Sequence, residues 1–257
     1  MAPIKALILG RFSSRKSRLP IPKMENKEPG FWKPQELVKL KVHNTSEVFV
    51  VHKEFACHHS PVFNAAFNSP FVEGQTQVYG LEHTTTRAVR LLVYWLYTQT
   101  VDLTLPNDDH SALKVQVSSL AELWVLADFL LIPRLRNDVL AAIVSIRREH
   151  HSLYMGCWGY VCAHTAPDSA IRRLLAHQVA FYLDADVFEA KRGEMGKELL
   201  SDIGLALMRE RDVFERWVGR GSGRGTDRDG LLEMGPVRRP EEMFRVRVQD
   251  FMGVEDE

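Results

Sequence analysis

The feature that most constrains the fold is a change of hydrophobic period early in the chain. In Leu37–Val42 every second residue is apolar and lysines lie between, so this period of two predicts a half-buried strand. Residues 47–51 are rich in β-branched side chains and predict the returning strand of a hairpin. From His52 to Phe67 the apolar spacing becomes three to four residues, which predicts helix, and Ser60-Pro61 divides it into two short helices. A hairpin that runs directly into short helices predicts a mixed α and β domain.

The next segments predict a small sheet beside helical pairs. Residues 77–81 are a short strand, and residues 101–105 alternate like another strand. Between them, hydroxyls at residues 84–86 cap a helix from Arg87 to Tyr97. Ser119–Glu122 has the pattern of a capping box and predicts the start of a helix that Pro133 stops, with one more helix after it. The apolar faces predict one core, formed by Val38, Leu40, Val42, Phe49, Phe63, Leu92, Leu96, Trp124, Ala127 and Leu130.

The second half of the chain predicts helices without strands. Residues 168–183 form a helix capped by Asp168, and residues 202–218 form another with Ile203, Leu207 and Phe214 on its buried face. Glycine and arginine then alternate over residues 219–225, which predicts a flexible linker. The predicted organisation is therefore a basic leader over residues 1–35, a domain over 36–146, a helical region over 147–218 and a flexible charged tail over 219–257.

Charge and cysteine content exclude several classes of protein. Lysine plus arginine and aspartate plus glutamate both total 33, so no global field draws the chain to nucleic acid or to an anionic membrane. Three cysteines in unlike contexts predict free thiols in a reducing compartment. No apolar run is long enough to span a bilayer. The expected location is cytoplasmic or nuclear. The first 24 residues are basic and lack acids, as in a mitochondrial transit peptide, so a mitochondrial location is a further alternative.

No group of residues predicts a catalytic, cofactor or metal site. Nucleophile elbows, zinc-protease helices and phosphate loops are all missing from the sequence, so we expect no enzyme activity and no small-molecule substrate. The glycine-arginine segment follows a helix rather than a strand, unlike a dinucleotide loop. Two sets of histidines and cysteines lack the spacing of four zinc ligands, and we expect them to be structural: His52, Cys57, His58 and His59, and Cys157, Cys162 and His164.

Several motifs together resemble the BTB/POZ family, and in particular its short fungal members. Residues 49–55 followed by Ser60–Phe63 resemble the family's strand-to-helix signature. Trp95–Thr98 resembles a helix ending of the family, and Leu126–Leu135 resembles its late pair of helices. Ile171–Leu175 resembles the C-terminal helical region of fungal BTB proteins. The resemblance implies an α+β BTB/POZ-like fold, a small mixed sheet with a β-hairpin flanked by helical hairpins, followed by a helical C-terminal region.

The resemblance also implies candidate binding residues. Family dimers pair an acid at the first strand with a base after the histidine, which here gives Glu36 and Lys53, although strict register would place Lys39 or Leu37 opposite Lys53. Members that bind cullins carry a hydrophobic-x-acid motif, and the matching positions are Val89, Arg90 and Leu91, with Tyr97 further along the helix. Because a leucine replaces the acid, we expect binding to a cullin to be weak or absent.

The sequence therefore predicts a protein-protein interaction module that forms homodimers or binds a scaffold, as a substrate adaptor of a cullin-type ubiquitin ligase. The alternative is a nucleic-acid-associated transcriptional regulator, which would use the basic leader and the glycine-arginine segment. The lack of a DNA-binding motif speaks against that alternative.

Overall fold

The computed structural model describes residues 29–221, apart from residue 44, residues 105–109 and residue 152. The chain divides into two units, one that ends at Gly30 and one that begins at Phe31. Of the first unit only Pro29 and Gly30 are described, so most of the predicted leader and most of the predicted tail lie outside the described residues. None of the helices in the described ranges is both long enough and apolar enough to cross a membrane.

The second unit contains three strands and ten α-helices within its described part. The strands are β1 (Leu37–Val42), β2 (Val48–His52) and β3 (Val78–Leu81). The helices are α1 (Lys53–His59), α2 (Pro61–Phe67), α3 (Val72–Thr76), α4 (Thr86–Thr98), α5 (His110–Phe129), α6 (Pro133–His150), α7 (Trp158–His164), α8 (Ala170–Tyr182), α9 (Ala185–Lys191) and α10 (Lys197–Gly221). A short 3-10 turn, Arg192–Glu194, follows α9.

The sheet has the order β2-β1-β3, with β1 at its centre. β1 and β2 are antiparallel and pair Leu40 with Phe49, which confirms the hairpin. β3 lies parallel to β1 on the other side and pairs Lys41 with Gly80. A parallel partner requires a crossover, and α1, α2 and α3 provide it. The alternate residues of β1 are fully buried, as its period of two predicts.

Ser60 separates α1 from α2 and ties both to the rest of the domain. Its hydroxyl accepts a hydrogen bond from the amide of Phe63 at 3.1 Å and donates one to the carbonyl oxygen of Leu130 at 2.7 Å. Pro61 occupies the first turn of α2, where its missing N–H costs nothing. The predicted division of this segment into two helices is confirmed.

The start predicted for α5 is wrong. The helix begins at His110, before the supposed capping box. The hydroxyl of Ser119 donates to the carbonyl of Val115 at 2.8 Å inside the helix, and Glu122 accepts a hydrogen bond from the hydroxyl of Thr85. A mid-helix serine that bonds back to its own helix has the same local sequence as a cap, so the pattern alone could not separate them.

The strand predicted at residues 101–105 is also wrong over its described part. Residues 101–104 are irregular. The amide of Thr104 donates to Asp102 Oδ1 at 2.9 Å, and Gln116 Nε2 donates to the carbonyl oxygen of Asp102 at 3.0 Å. Side chains therefore satisfy backbone groups here that a strand would pair with another strand.

The C-terminal helices differ from their prediction at their ends. Asp168 has a positive φ and lies before α8, and its carboxylate pairs with Arg209 at 2.8 Å instead of capping the helix. α10 runs from Lys197 to Gly221, so it extends beyond both predicted ends and includes the first part of the glycine-arginine segment. Ile203 is buried as predicted, but Leu207 is 47% exposed. The side chain of Phe214 lies outside the described residues.

One hydrophobic core joins the sheet to the helices. Nine of the ten predicted core residues are buried, and Phe49 packs against the core while partly exposed. The same cluster continues through Ile171, Leu174 and Leu199 of the C-terminal helices. The helices after residue 146 therefore complete the core of the preceding domain rather than form a separate one.

Candidate functional site

The candidate partner residues on α4 point in different directions. Val89 is fully buried and Leu91 is 8% exposed, so both belong to the core in this structure. Arg90 is exposed, and its guanidinium lies 3.5 Å from Glu47 Oε2. Tyr94, one turn further, is 44% exposed. The outward surface of α4 is therefore formed by Arg90 and Tyr94 rather than by the whole motif.

Tyr97 anchors α4 to β2. Its hydroxyl accepts a hydrogen bond from the amide of His52 at 2.9 Å and contacts the Nδ1 atom of the same residue at 2.8 Å. Its ring lies 4.8 Å from that of Phe55 and is stacked with that of Phe31 at 6.4 Å. Phe31, which lies in the predicted leader, therefore packs on this aromatic cluster.

Glu36 and Lys53, the candidate dimer pocket, meet through the backbone. The amide of Lys53 donates to the carbonyl oxygen of Glu36 at 2.9 Å. Their side chains take other partners: Glu36 Oε1 lies 3.1 Å from Lys33 Nζ, and Lys53 Nζ donates to the carbonyl oxygen of Phe67 at 3.0 Å. The two residues are thus neighbours through their backbones, but the side chain of each already binds another group of the same chain.

The segment between α2 and β3, which contains the short helix α3, presents two apolar side chains to solvent. Phe71 is 71% exposed and Val72 is 69% exposed, more than any other large apolar residue in the described part of the chain. The amide of Phe71 donates to Ser69 Oγ at 3.2 Å, and Gln75 Nε2 donates to the carbonyl oxygen of Pro70 at 2.7 Å. We name residues 69–77 the apolar loop.

Gly74 is required for the shape of the apolar loop. A Cβ atom at this position would lie 1.8 Å from the carbonyl oxygen of Ser69. Gln77 closes the loop with a positive φ of 54°, and its side-chain amide donates to the carbonyl oxygen of Phe67 at 3.1 Å. This segment was not among the sites predicted from the sequence. Its signal was the Ser69-Pro70 pair followed by apolar residues and a glycine within a polar stretch.

The first set of histidines and cysteines is packed into the domain. His59 packs on Trp95 at 5.2 Å and bonds to Gln99 Nε2 at 3.0 Å. Burial, with smaller contributions from the charges of His58 and Arg134, lowers the pKa of His59 to about 4. Burial also raises the pKa of the Cys57 thiol to about 11, so the thiol stays protonated and unreactive at neutral pH.

The residues of the second set, Cys157, Cys162 and His164, also have structural contacts. Cys157 is buried, and desolvation raises the pKa of its thiol to about 11. The ring of His164 stacks on that of Tyr160 at 4.3 Å, and its Nδ1 lies 2.9 Å from the carbonyl oxygen of the same residue. Across the part of the chain that the structure describes, no three histidine, cysteine, aspartate or glutamate side chains form a group that could hold a metal ion.

Comparison with known protein families gives a match over part of the chain. The BTB/POZ domain model matches residues 35–145. No curated protein matches the chain. The match covers β1 to most of α6, that is the three-stranded sheet, the helices between its strands and the helical pair α5 and α6. Members of this family mediate protein-protein interactions. The match shows that residues 35–145 of this chain form a BTB/POZ domain, which is therefore a protein-protein interaction module.

Proposed function

We propose that this BTB/POZ domain binds a protein scaffold, with the apolar loop as the anchor of the interface. The observation that supports this is the exposure of Phe71 and Val72 on a segment whose side chains form six hydrogen bonds with backbone groups. A loop that is already ordered loses little conformational entropy when it binds. Exposed aromatic residues on ordered elements are the usual energetic centres of protein interfaces.

The scaffold class that we propose is a cullin of a ubiquitin ligase, as the family resemblance suggests. Arg90 and Tyr94 on α4 would add a polar rim to the anchor. Leu91 is a core residue, so a glutamate at this position would place a carboxylate in the core and would not restore a surface contact. That the chain is of the short fungal type is part of the same proposal, supported by the packing of Ile171 and Leu174 in the shared core.

The first prediction is that Phe71→Ala weakens scaffold binding. We expect binding of a recombinant cullin N-terminal region in the micromolar range, and a loss of about thirtyfold in affinity for the variant, equivalent to about 2 kcal/mol. The measurement is a calorimetric titration of the full chain. Met208→Ala is the matched control, because Met208 is an exposed apolar residue, 57% accessible, on α10.

Two results would contradict this prediction in different ways. Equal affinities of Phe71→Ala and the unmodified chain would show that the apolar loop is not the anchor. No binding by the unmodified chain at concentrations up to a millimolar would exclude a cullin as the scaffold. Affinity capture with both the unmodified chain and Phe71→Ala would then test for another scaffold, since a true partner should be lost with the variant.

Self-association is a second candidate, favoured by the exposed aromatic residues beside Glu36 and Lys53. Trp32 is 64% exposed and Phe31 is 52% exposed, although Phe31 also covers the aromatic cluster of Tyr97. Members of the family form dimers, and a large aromatic side chain in solvent is a frequent part of a homodimer interface.

The second prediction is therefore a dimer that depends on Trp32. Light scattering of the full chain at micromolar concentration should give twice the mass of one chain, and Trp32→Ser should shift the equilibrium to the monomer. The variant should keep its helical circular dichroism spectrum, because Trp32 is mostly exposed. A chain that stays monomeric on concentration would rule this candidate out.

A further inference from the structure

The outward face of the sheet is unusually apolar for a face in contact with water. The exposed side of an open sheet is expected to carry polar residues that alternate with the buried ones. Here Leu37 is 46% exposed, Val48 is 47% exposed and Val50 is 52% exposed, and all three point away from the core. The pairing of the strands places these residues on one face, which we name the outer sheet face.

Two lysines lie among these apolar side chains. Lys39 pairs with Val50 across the hairpin, and Lys41 pairs with Val48, so each lysine is the cross-strand neighbour of an exposed valine. Neither lysine side chain has a hydrogen bond or an ion pair with any described residue. Glu82 borders the same open cleft as Lys41 but forms no ion pair with it in the described structure. The outer sheet face is therefore apolar and positively charged, and it fits an extended segment that carries both apolar residues and acids.

Several short segments outside the described residues combine acids with apolar residues, and residues 250–257 carry the most acids. Residues 250–257, Asp-Phe-Met-Gly-Val-Glu-Asp-Glu, combine four acids with three large apolar residues and no base. Residues 229–237 also lack a base but carry only two acids, so charge complementarity to the two lysines favours residues 250–257. From Gly221 the intervening chain can extend about 100 Å, at about 3.3 Å per residue. A domain of this size is about 40 Å across, so the segment can reach any face of it.

We propose that residues 250–257 bind the outer sheet face of the same chain, with their acids on Lys39 and Lys41 and their apolar residues on Leu37, Val48 and Val50. The proposal concerns a surface distinct from the apolar loop and does not depend on scaffold binding.

The test measures binding in trans and in cis. A labelled peptide of residues 250–257 is titrated into a chain that ends at Gln249, and we expect saturable binding that weakens with added salt. Lys39→Glu with Lys41→Glu should weaken peptide binding by about tenfold or more. Lys191→Glu with Lys197→Glu is the matched control, because it makes the same charge change at exposed lysines on other elements. A peptide with Glu255→Lys and Asp256→Lys should bind the Lys39→Glu and Lys41→Glu chain better than the natural peptide does.

The cis measurement follows the methyl resonances of Val48 and Val50. They should differ between the full chain and the chain that ends at Gln249, and Lys39→Glu with Lys41→Glu should make the full chain resemble the shortened one. Identical resonances in the two unmodified chains would overturn the proposal, as would peptide binding that is insensitive to Lys39 and Lys41. Resonances that change with protein concentration in the shortened chain would assign the face to a second copy and overturn it as well.

Discussion

Phe63→Ala is expected to lower the free energy of unfolding by about 3–5 kcal/mol. The side chain of Phe63 is fully buried, and its ring contacts those of Phe67 at 5.7 Å and Tyr79 at 5.2 Å. Removing the ring takes away both its burial and its contacts with α2 and β3, and it leaves a cavity that a packed core cannot fill. Because Phe63 lies where the sheet meets the first helices, little relaxation is available to reduce this cost.

The matched control is the same substitution at Phe71, which is mostly exposed. Phe71→Ala should change the free energy of unfolding by less than about 0.5 kcal/mol, since surface substitutions rarely do more. Chemical denaturation of both variants, with unchanged dependence on denaturant concentration, gives the comparison. Equal losses for the two variants would mean that Phe63 does not lie in the core, or that Phe71 is not on the surface.

The sequence predicted the β-hairpin and the first two helices well because their signals are local. Alternation in Leu37–Val42 is imposed by the burial of one face, and Ser60-Pro61 is a boundary that the backbone of proline itself enforces. The start of α5 could not be predicted in this way. Ser119 bonds to Val115 and Glu122 to Thr85, and the second of these contacts exists only after α4 and α5 pack together.

The exposure of the candidate site residues could not be inferred from the sequence, for a related reason. The resemblance placed the candidate partner residues on α4. A motif does not show which side of a helix faces water, and Val89 and Leu91 lie in the core. The apolar loop lacks any strong sequence pattern, because its shape depends on Gly74 lying against the backbone of Ser69. Side-chain contacts between distant residues, such as that of Tyr97 with His52, could not be inferred from spacing alone.

Asp202→Ala is the second substitution with a large expected effect. Arg172 is 5% exposed, and its guanidinium donates from Nε and from a terminal nitrogen to Asp202 Oδ2 at 2.8 Å and 2.7 Å. The pair joins α8 to α10 inside the C-terminal part of the core. Removing the carboxylate leaves a buried positive charge without its partner, and such losses cost about 3–5 kcal/mol.

The chain supplies a matched control for this ion pair. Asp168 and Arg209 bind at 2.8 Å and also join the start of α8 to α10, but their side chains are 60% and 49% exposed. Asp168→Ala should therefore cost less than about 1 kcal/mol, because water solvates the remaining arginine and the exposed pair contributes little. Because the two ion pairs have nearly the same length, a difference between their losses of stability can be attributed to burial.

A double variant separates the net contribution of the buried ion pair to stability from the stability that is lost when only one partner is removed. Arg172→Met with Asp202→Leu replaces both charges by apolar side chains of similar size, and we expect it to recover most of the stability that Asp202→Ala loses.

Since one core joins α8 and α10 to the BTB/POZ domain, all three variants should unfold in a single transition when followed by circular dichroism and by tryptophan fluorescence. Two separate transitions would show that the C-terminal helices unfold independently. A loss for Asp202→Ala no greater than that for Asp168→Ala would show that Arg172 reaches water when its partner is removed.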